Sequence, residues 1–202
     1  MQMIDEFTTI PHAGHAETRI LGSRFLADAV HSGAREEAEV VLQGVRKKLY
    51  DASHHCFAYR LGCDGLEFRF SDDGEPGGTA GKPILAAIDR EGVTDVLVVV
   101  TRYFGGTKLG TGGLVRAYGE TALLAVRDAG RATRLIYAST SFAVGHSLVS
   151  QIMHVASRCG GRIADTRYDD LVHYRIEVRR SRLDAFRSDL VQATSGGVQF
   201  ED

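Results

Sequence analysis

The glycine-rich segment, residues 102–119 (RYFGGTKLGTGGLVRAYG), holds six glycines in eighteen positions and leads into an apolar helical pattern. Open backbone amides between a strand and a helix can hold phosphate oxygens. Cationic side chains and aromatic rings nearby suit an RNA backbone or a phosphorylated ligand, and Phe104 supplies one such ring. The ligand-binding residues predicted from this segment are Arg102, Tyr103, Gly105, Gly106, Lys108, Gly110, Gly112, Gly113 and Arg116.

The same glycines also have a structural explanation, in which each one avoids a steric clash at a tight crossing from strand to helix. Their spacing matches neither GxGxxG nor a phosphate-binding loop that ends in Lys-Ser/Thr. We favour function for residues 105–113, because packing alone rarely needs five glycines in nine residues. Close packing better explains Gly119, since glycine inside a helix costs about 1 kcal/mol relative to alanine.

The acidic segment, residues 71–83 (SDDGEPGGTAGKP), gathers three carboxylates in a predicted loop. Asp72, Asp73 and Glu75 offer the oxygen ligands that a hard cation such as magnesium prefers. The segment is not an EF-hand, because the alternating acidic positions and the closing glutamate are missing, and it lacks the GxxxxGK[ST] spacing of a P-loop. An acidic surface turn explains the same residues without a ligand.

The helix expected at the end of the acidic segment offers another way to bind an anion. Thr79 is predicted to cap this helix, and its first turn carries Gly81 and Lys82. Free backbone N–H groups in a first helical turn attract negative charge. Lys82 therefore joins the predicted ligand-binding residues.

Two adjacent histidines begin a predicted strand in the sequence SHHC. Neighbouring strand side chains point to opposite faces, so His54 and His55 are not expected to bind one metal ion together. Together with the three carboxylates of the acidic segment, they are the candidate catalytic groups of an acid–base or metal-assisted enzyme. Cys56 is expected to be a small buried apolar side chain. We assign no metal site and no cofactor.

Hydrophobic periodicity predicts the elements that position these residues. Apolar residues at three- and four-residue spacing predict a helix over 34–50. The β-branched run within 93–104 predicts a strand buried on both faces, directly before the glycines. The other predicted strands are 16–21, 24–30, 54–61 and 66–71, and the other predicted helices are 79–91 and 113–129.

The rest of the chain predicts the order strand, helix, strand, strand, helix, strand, which is the ferredoxin-like arrangement. In the stretch LVHYRIEVRR, apolar and polar residues alternate, so one face of that strand is expected to be buried. Both helices end in Gly-Gly, which favours a left-handed C-terminal cap. We predict an α+β protein with an N-terminal domain over 1–133 and a ferredoxin-like domain over 134–202.

Composition limits the class of protein. A hydrophobic fraction of 44% is typical of a globular chain, and the net charge of -2 gives no overall signal for nucleic acid. Three cysteines without a CxxC pair favour a reducing compartment. The N-terminus has no signal-peptide pattern, and the longest apolar run, Val96 to Val100, is too short to span a bilayer. We therefore predict a cytoplasmic protein with no membrane partner.

The chain resembles the YigZ/IMPACT family in four stretches, and the resemblance covers nearly the whole chain. The stretch that is most specific for the family overlaps the glycine-rich segment. The resemblance implies a first domain similar to the second domain of a small-subunit ribosomal protein and to domain four of elongation factor G. It implies a ferredoxin-like second domain similar to domain five of that factor. The four stretches are SRF (23–25), ASHHCFAYRL (52–61), FSDDGEPGGTAGKPILAAI (70–88) and VVVTRYFGGTKLGTGGLVRAYGE (98–120).

The resemblance also implies a role in translation. Eukaryotic members regulate translation under amino-acid starvation by binding an activator of a stress kinase through an additional domain. We therefore expect a translation-associated regulator that binds RNA or the ribosome through the glycine-rich loops, with a regulatory protein as a second class of partner. The alternative is a metal-assisted hydrolase or transferase that acts on a phosphate-bearing small molecule. The sequence favours a binding protein over an enzyme and leaves the oligomeric state open.

Overall fold

The computed structural model describes residues 4–201. These residues form five α-helices and eleven β-strands, which confirms the predicted α+β class. They divide into two compact units, one over Phe7–Arg134 and the other over residues 135–201 together with residues 4–6. Within the described range, no helix is both long enough and apolar enough to cross a membrane.

The first unit is built on a five-stranded sheet. Its strands lie in the order β2-β3-β6-β4-β5 with antiparallel neighbours, and β1 pairs with β7 in a separate two-stranded sheet. The elements are β1 (Glu6–Thr9), β2 (Gly14–Ile20), β3 (Ser23–His31), α1 (Arg35–Lys48), β4 (His54–Leu61), β5 (Glu67–Ser71), α2 (Gly81–Glu91), β6 (Val96–Tyr103), α3 (Gly110–Asp128) and β7 (Ala132–Leu135).

The central strand β6 is buried on both faces of the sheet, as its β-branched run predicts. Three of its valines pack with α2 and α3 on one face, whereas Leu97 and Val99 pack with α1 on the other. Fully burying one such side chain stabilises a fold by about 1.5–3 kcal/mol. This packing holds the end of the strand, Arg102 and Tyr103, between β3 and β4.

Two helices begin at different residues from those predicted. α2 begins at Gly81 rather than at Thr79, and α3 begins at Gly110, three residues before the predicted start. Local patterns place helix ends only to within a few residues, because the first turn is fixed by partners outside the helix. The packing explanation of Gly119 is also wrong. A Cβ atom there would lie 3.6 Å from Cβ of Pro83, which is an ordinary contact.

The second unit has the predicted strand–helix–strand–strand–helix–strand order. Its sheet runs β11-β8-β10-β9, with β10 antiparallel to both of its neighbours. The alternation in β10 is confirmed, because its apolar residues are buried while its polar residues are partly or fully exposed. The elements are β8 (Tyr137–Val144), α4 (Val149–Arg158), β9 (Arg162–Tyr168), β10 (Val172–Arg179), α5 (Leu183–Ala193) and β11 (Gln199–Glu201).

The two helices of this unit end as their Gly-Gly pairs predict. Gly160 follows α4 with φ 67°, and Gly196 follows α5 with φ 83°. Both values lie in the left-handed region that glycine adopts without steric cost. The N–H of Gly161 then reaches back to the carbonyl of Ala156, which satisfies one of the last acceptors of α4.

Candidate functional site

A buried ion pair joins the glycine-rich and acidic segments. Nη1 of Arg102 lies 2.7 Å from Oε1 of Glu75, and the two side chains are only 6% and 4% exposed. Nη2 of Arg102 also donates to Oγ of Ser23 at 3.2 Å. The hydroxyl of Tyr118 donates to the same oxygen of Glu75 at 2.7 Å. One polar cluster therefore links β3, β6, α3 and the acidic segment.

Arg102 is a supporting residue and not a surface cation. Its charge is compensated by Glu75, and its guanidinium carbon lies 5.4 Å from the ring centres of both Phe25 and Phe104. Its Nε atom is buried without a hydrogen-bond partner among residues 4–201. The sequence predicts Arg102 as a ligand contact from its residue type alone, but burial directs the charge to Glu75 instead.

Burial keeps the neighbouring hydroxyl and thiol neutral. Burial first, and then the nearby Cys56 and Glu75, raise the pKa of Tyr118 above its ordinary value. Burial also raises the pKa of the Cys56 thiol to about 12. Its Sγ atom donates to the carbonyl of Asp72 at 3.0 Å. Because the thiolate is the nucleophilic form of cysteine, Cys56 has the structural role that the sequence predicts.

Asp72 occupies the N-terminus of α2. Its carboxylate accepts hydrogen bonds from the backbone N–H groups of Gly78 (2.8 Å), Ala80 (2.9 Å) and Gly81 (2.8 Å). Partial burial alone would raise its pKa, but these hydrogen bonds outweigh burial and hold the pKa of Asp72 below its ordinary value. The predicted cap is wrong, because the Thr79 hydroxyl donates to the carbonyl of Pro76 instead.

Asp73 is also used within the protein. Its Oδ1 atom lies 2.8 Å from Nη2 of Arg46, and its Oδ2 atom accepts a hydrogen bond from the backbone N–H of His55 at 2.7 Å. Its carbonyl oxygen lies 2.8 Å from Nδ1 of His54. The residue has φ 42°, in the left-handed region. It therefore holds the acidic segment against α1 and the start of β4.

The two histidines are separated, as strand alternation predicts. Nε2 of His54 lies 4.0 Å from Oε1 of Glu75. Nε2 of His55 lies 3.1 Å from the carbonyl oxygen of Leu49, the residue that directly follows α1. Within residues 4–201, no three His, Cys, Asp or Glu side chains are grouped so that they could hold a metal ion. The candidate catalytic groups are thus engaged in structural contacts, and Asp73 contacts both histidines.

The glycines of the glycine-rich segment differ in whether contact or backbone conformation requires them. A Cβ atom on Gly105 would lie 1.9 Å from the carbonyl carbon of Gly22, so two backbones touch there. Gly106 and Gly110 have φ 84° and 70°, which other residues rarely adopt. Gly112 has ordinary φ, and a Cβ atom there would meet nothing within 4 Å. Neither contact nor conformation accounts for Gly112.

The N-terminus of α3 is open. Its N-cap residue, Leu109, supplies no side-chain cap, and its first turn contains no acidic residue. Gly113 lies in that first turn, where its Cβ would be 3.0 Å from Cβ of Leu109. The first N–H groups of a helix carry partial positive charge and lack partners within the helix. This end of α3 is therefore available to an anion.

Three exposed cations belong to the two segments. Lys82 lies in the first turn of α2, Lys108 directly precedes the start of α3, and Arg116 lies in its second turn. In the described part of the chain, none of them has a carboxylate within ion-pair distance. The charges of Lys108 and Arg116 are therefore uncompensated, in contrast to that of Arg102, whereas Lys82 lies close enough to Asp72 to help lower the pKa of that carboxyl.

The two aromatic residues after Arg102 differ in their surroundings. The Tyr103 hydroxyl donates to Oδ1 of Asp51 at 3.0 Å, and the side chain is partly buried. Phe104 is 50% exposed, and its backbone N–H donates to Oγ of Ser53 at 3.0 Å. The turn between α1 and β4 thus holds both residues in place.

Sequence reasoning missed several residues that build the site. Ser23, Ser53 and Asp51 are small polar residues in turns and strand ends, whose partners are 79, 51 and 52 positions away in sequence. Tyr118 gave a usable signal, because a tyrosine on the apolar face of a helix needs a hydrogen-bond partner for its hydroxyl. Arg46 gave no such signal, because in the sequence it is one of three consecutive cationic residues at the end of a helix.

Two domain types match the chain in sequence order. Residues 21–126 match the Impact N-terminal domain, and residues 142–196 match a domain of unknown function, DUF1949. Fold and site thus define a two-domain protein that carries an Impact N-terminal domain. The chain belongs to the IMPACT family.

Relatives in bacteria align over most of their length. The chain is 35% identical to the IMPACT family member YigZ of Escherichia coli, over 88% of each chain. It is 30% identical to YvyE of Bacillus subtilis, over 96% of this chain and 89% of the relative. A crystal structure of a hypothetical protein, 32% identical, superposes with a TM-score of 0.72 over 98% of this chain and 97% of the other.

Proposed function

We propose that this protein is a translation-associated regulator that binds RNA, free or within the ribosome, through the start of α3. The observation that carries the proposal is the open helix N-terminus at Gly110, next to Lys108 and Arg116. Backbone N–H groups and unpaired cations are the groups that bind phosphate oxygens. Family membership supports the link to translation.

The charge distribution supports a local contact and not a general one. The chain has a net charge of -2, so it does not attract RNA over its whole surface. Lys82 and Arg116 are exposed near the starts of α2 and α3, and Lys108 is exposed in the loop before α3. So few cations can contact only a few phosphate groups, which predicts a shallow dependence of affinity on salt.

The test is a titration of the purified protein with single-stranded RNA and with ribosomes at two salt concentrations. Each lost phosphate contact lowers the slope of log affinity against log salt by about 0.7 for single strands. The double variant Lys108→Ala/Arg116→Ala should therefore bind more weakly and with a shallower slope. Absence of RNA and ribosome binding by the natural protein at low salt would refute the proposal.

A matched control is the double variant Lys47→Ala/Lys48→Ala. These lysines are exposed in the last turn of α1, which packs on the opposite face of the sheet from α3. The control removes the same charge and should leave affinity nearly unchanged. If both double variants weaken binding equally, net charge and not the start of α3 is responsible.

A regulatory protein is the second candidate partner, favoured by an apolar groove between α2 and α3. Most of its lining side chains are small or apolar, with Arg90, Arg116 and Glu120 as the charged members, and Val115 is 41% exposed. A protein partner would bury such a groove, and the affinity of that contact would depend little on salt concentration. If Val115→Glu weakens ribosome binding while Lys108→Ala, at a position outside the groove, does not, the groove contacts a protein. The groove residues are Pro83, Ala86, Ala87, Arg90, Val115, Arg116, Gly119, Glu120 and Leu123.

We do not propose the enzyme alternative. Asp72 caps α2, Asp73 holds Arg46 and the backbone of His55, and Glu75 is buried with Arg102. Each carboxylate has a structural use that competes with catalysis. No observation in the first unit brings them to one reacting atom.

A further inference from the structure

Phe104 is unusual among the residues near the end of β6. Every residue of the strand up to Arg102 is buried, and Tyr103 is partly buried, whereas Phe104 is 50% exposed. A half-exposed ring forgoes part of the about 1.5–3 kcal/mol that full burial of the side chain would contribute. The exposed part of the ring is available to a ligand.

One side of the ring is supported by a fixed charge. The Arg102 guanidinium lies between the rings of Phe25 and Phe104, at 5.4 Å from each. Glu75 and Ser23 hold that guanidinium in place through hydrogen bonds. The exposed ring therefore has a cation–π contact with a guanidinium that is itself held in place.

The backbone on both sides of the ring is fixed as well. The N–H of Phe104 donates to Oγ of Ser53, and the N–H of Gly105 donates to Oγ of Ser23. Gly105 touches the backbone of Gly22 so closely that no side chain fits. The ring is thus held ready before any ligand arrives, which reduces the entropy lost on binding.

We infer that Phe104 is a stacking platform for one unpaired nucleobase, so that the ligand of this surface is single-stranded nucleic acid and not a duplex. The inference rests on the proposed function and names its ligand class. An exposed ring can stack on a base only when that base is not already stacked within a helix. Lys108 and the open start of α3, a few residues further on, would hold the adjoining phosphates.

The test compares the natural protein with Phe104→Leu in binding a short fluorescent oligouridylate, the same strand with abasic sites, and a duplex. Leucine keeps an apolar side chain and removes the π-face. Stacking of one base on an aromatic ring predicts a loss of about 5- to 150-fold in affinity. The salt slope should stay the same, because no charge is removed. The abasic strand should bind both proteins equally weakly.

Phe68→Leu is the matched control. Phe68 is 52% exposed on β5, and the Arg60 guanidinium lies 5.2 Å from its ring centre, so it imitates Phe104 in exposure and support. It lies far from the glycine-rich segment, because Phe68 pairs with Arg60 and Arg60 pairs with Val96, at the opposite end of β6 from Arg102. This variant should bind the oligouridylate as the natural protein does.

The outcomes separate the two proposals. If the natural protein binds no oligouridylate, no duplex and no ribosomes at low salt, the proposed function fails and this inference fails with it. If it binds oligouridylate but Phe104→Leu binds equally well, only the stacking platform is refuted. Equal binding of duplex and single strand also refutes the platform, since an unpaired base would then not be needed. If Phe104→Leu binds the abasic strand more weakly than the natural protein does, the platform is refuted as well, because the ring would then act through the fold.

Discussion

The starts of α2 and α3 are a natural pair for comparison. Each helix follows a glycine-rich stretch, and each has a lysine close to its first residue. At α2, the carboxylate of Asp72 accepts three backbone hydrogen bonds from residues 78–81. At α3, no acidic residue lies in the first turn, and Leu109 supplies no cap.

The difference shows that glycine content alone does not identify a ligand site. Gly81 at α2 is required by packing, because a Cβ atom there would lie 2.8 Å from the backbone of Ser71. Gly112 at α3 has open space where a Cβ would be. A helix start that is filled by its own chain is structural, whereas an open one with free cations can bind an anion.

The largest effect should come from Arg102→Ala, which removes the group that joins both segments. Leaving Glu75 buried without its partner is expected to lower the free energy of unfolding by about 3–5 kcal/mol. Urea denaturation followed by circular dichroism measures the loss. The double variant Arg102→Met/Glu75→Leu should recover much of it, because no uncompensated charge remains. A single-variant loss below about 1 kcal/mol would contradict the role assigned to the pair.

Gly105→Ala should have the next largest effect. The added methyl would collide with the backbone of Gly22, which lies in the tight turn between β2 and β3. Overpacking of this kind typically costs about 1–3 kcal/mol. Thermal unfolding measures the cost, and a variant as stable as the natural protein would show that the glycine-rich segment can shift.

Asp72→Ala should expose the start of α2. Loss of a capping side chain typically costs about 0.5–2 kcal/mol of stability near neutral pH. Since the folded-state pKa of Asp72 lies below its ordinary value of 3.8, its contribution is complete above that value and is lost as the pH falls through the folded pKa. The free energies of unfolding of the natural protein and of Asp72→Ala should therefore become equal at low pH, which unfolding measurements across the acidic range can check. If the difference in unfolding free energy is the same at every pH, the charge of Asp72 is not what stabilises the start of α2.

The same variant also tests whether the start of α2 takes part in RNA binding. RNA affinity of Asp72→Ala is expected not to fall, because the carboxylate belongs to the structure and repels phosphate. A loss of affinity with an intact fold would mean that α2 contributes to the binding surface through Asp72.

Gly112→Ala should have the smallest effect on stability and an opposite effect on binding. Alanine is favoured over glycine in a helix by about 0.5–1 kcal/mol, and no atom obstructs the methyl. The methyl does obstruct a ligand that approaches the backbone, so RNA affinity should fall. Gly44→Ala in α1 is the control, because its Cβ also meets nothing within 4 Å. It should gain stability without losing affinity.

Sequence patterns predicted much of the fold. The alternation in β10, the β-branched run of β6 and the Gly-Gly pairs after α4 and α5 each depend on neighbours within a few residues. The starts of α2 and α3 were misplaced, because they are set by partners outside the helices. Thr79 was a plausible cap by type, but Asp72 reaches the same donors from the end of β5.

The candidate site shows the same contrast between what local sequence patterns predict and what distant partners decide. The sequence identified the two segments and the family to which they belong, and it separated His54 from His55 by strand alternation. It treated Arg102, Lys108 and Arg116 as equivalent cations. Only the fold distinguishes them, because Arg102 meets Glu75 while the other two remain exposed.

By itself, the sequence determined the α+β class, the ferredoxin-like order of the second unit and the family to which the chain belongs. Tertiary structure alone decided which helix start is filled, which glycine is a packing contact and which cation is neutralised. The physical reason is distance along the chain. Arg102 finds Glu75 27 residues away and Ser23 79 residues away, and no local pattern encodes such meetings. Periodicity reports what a residue's neighbours are, whereas charge compensation and close backbone contact depend on what the fold brings beside it.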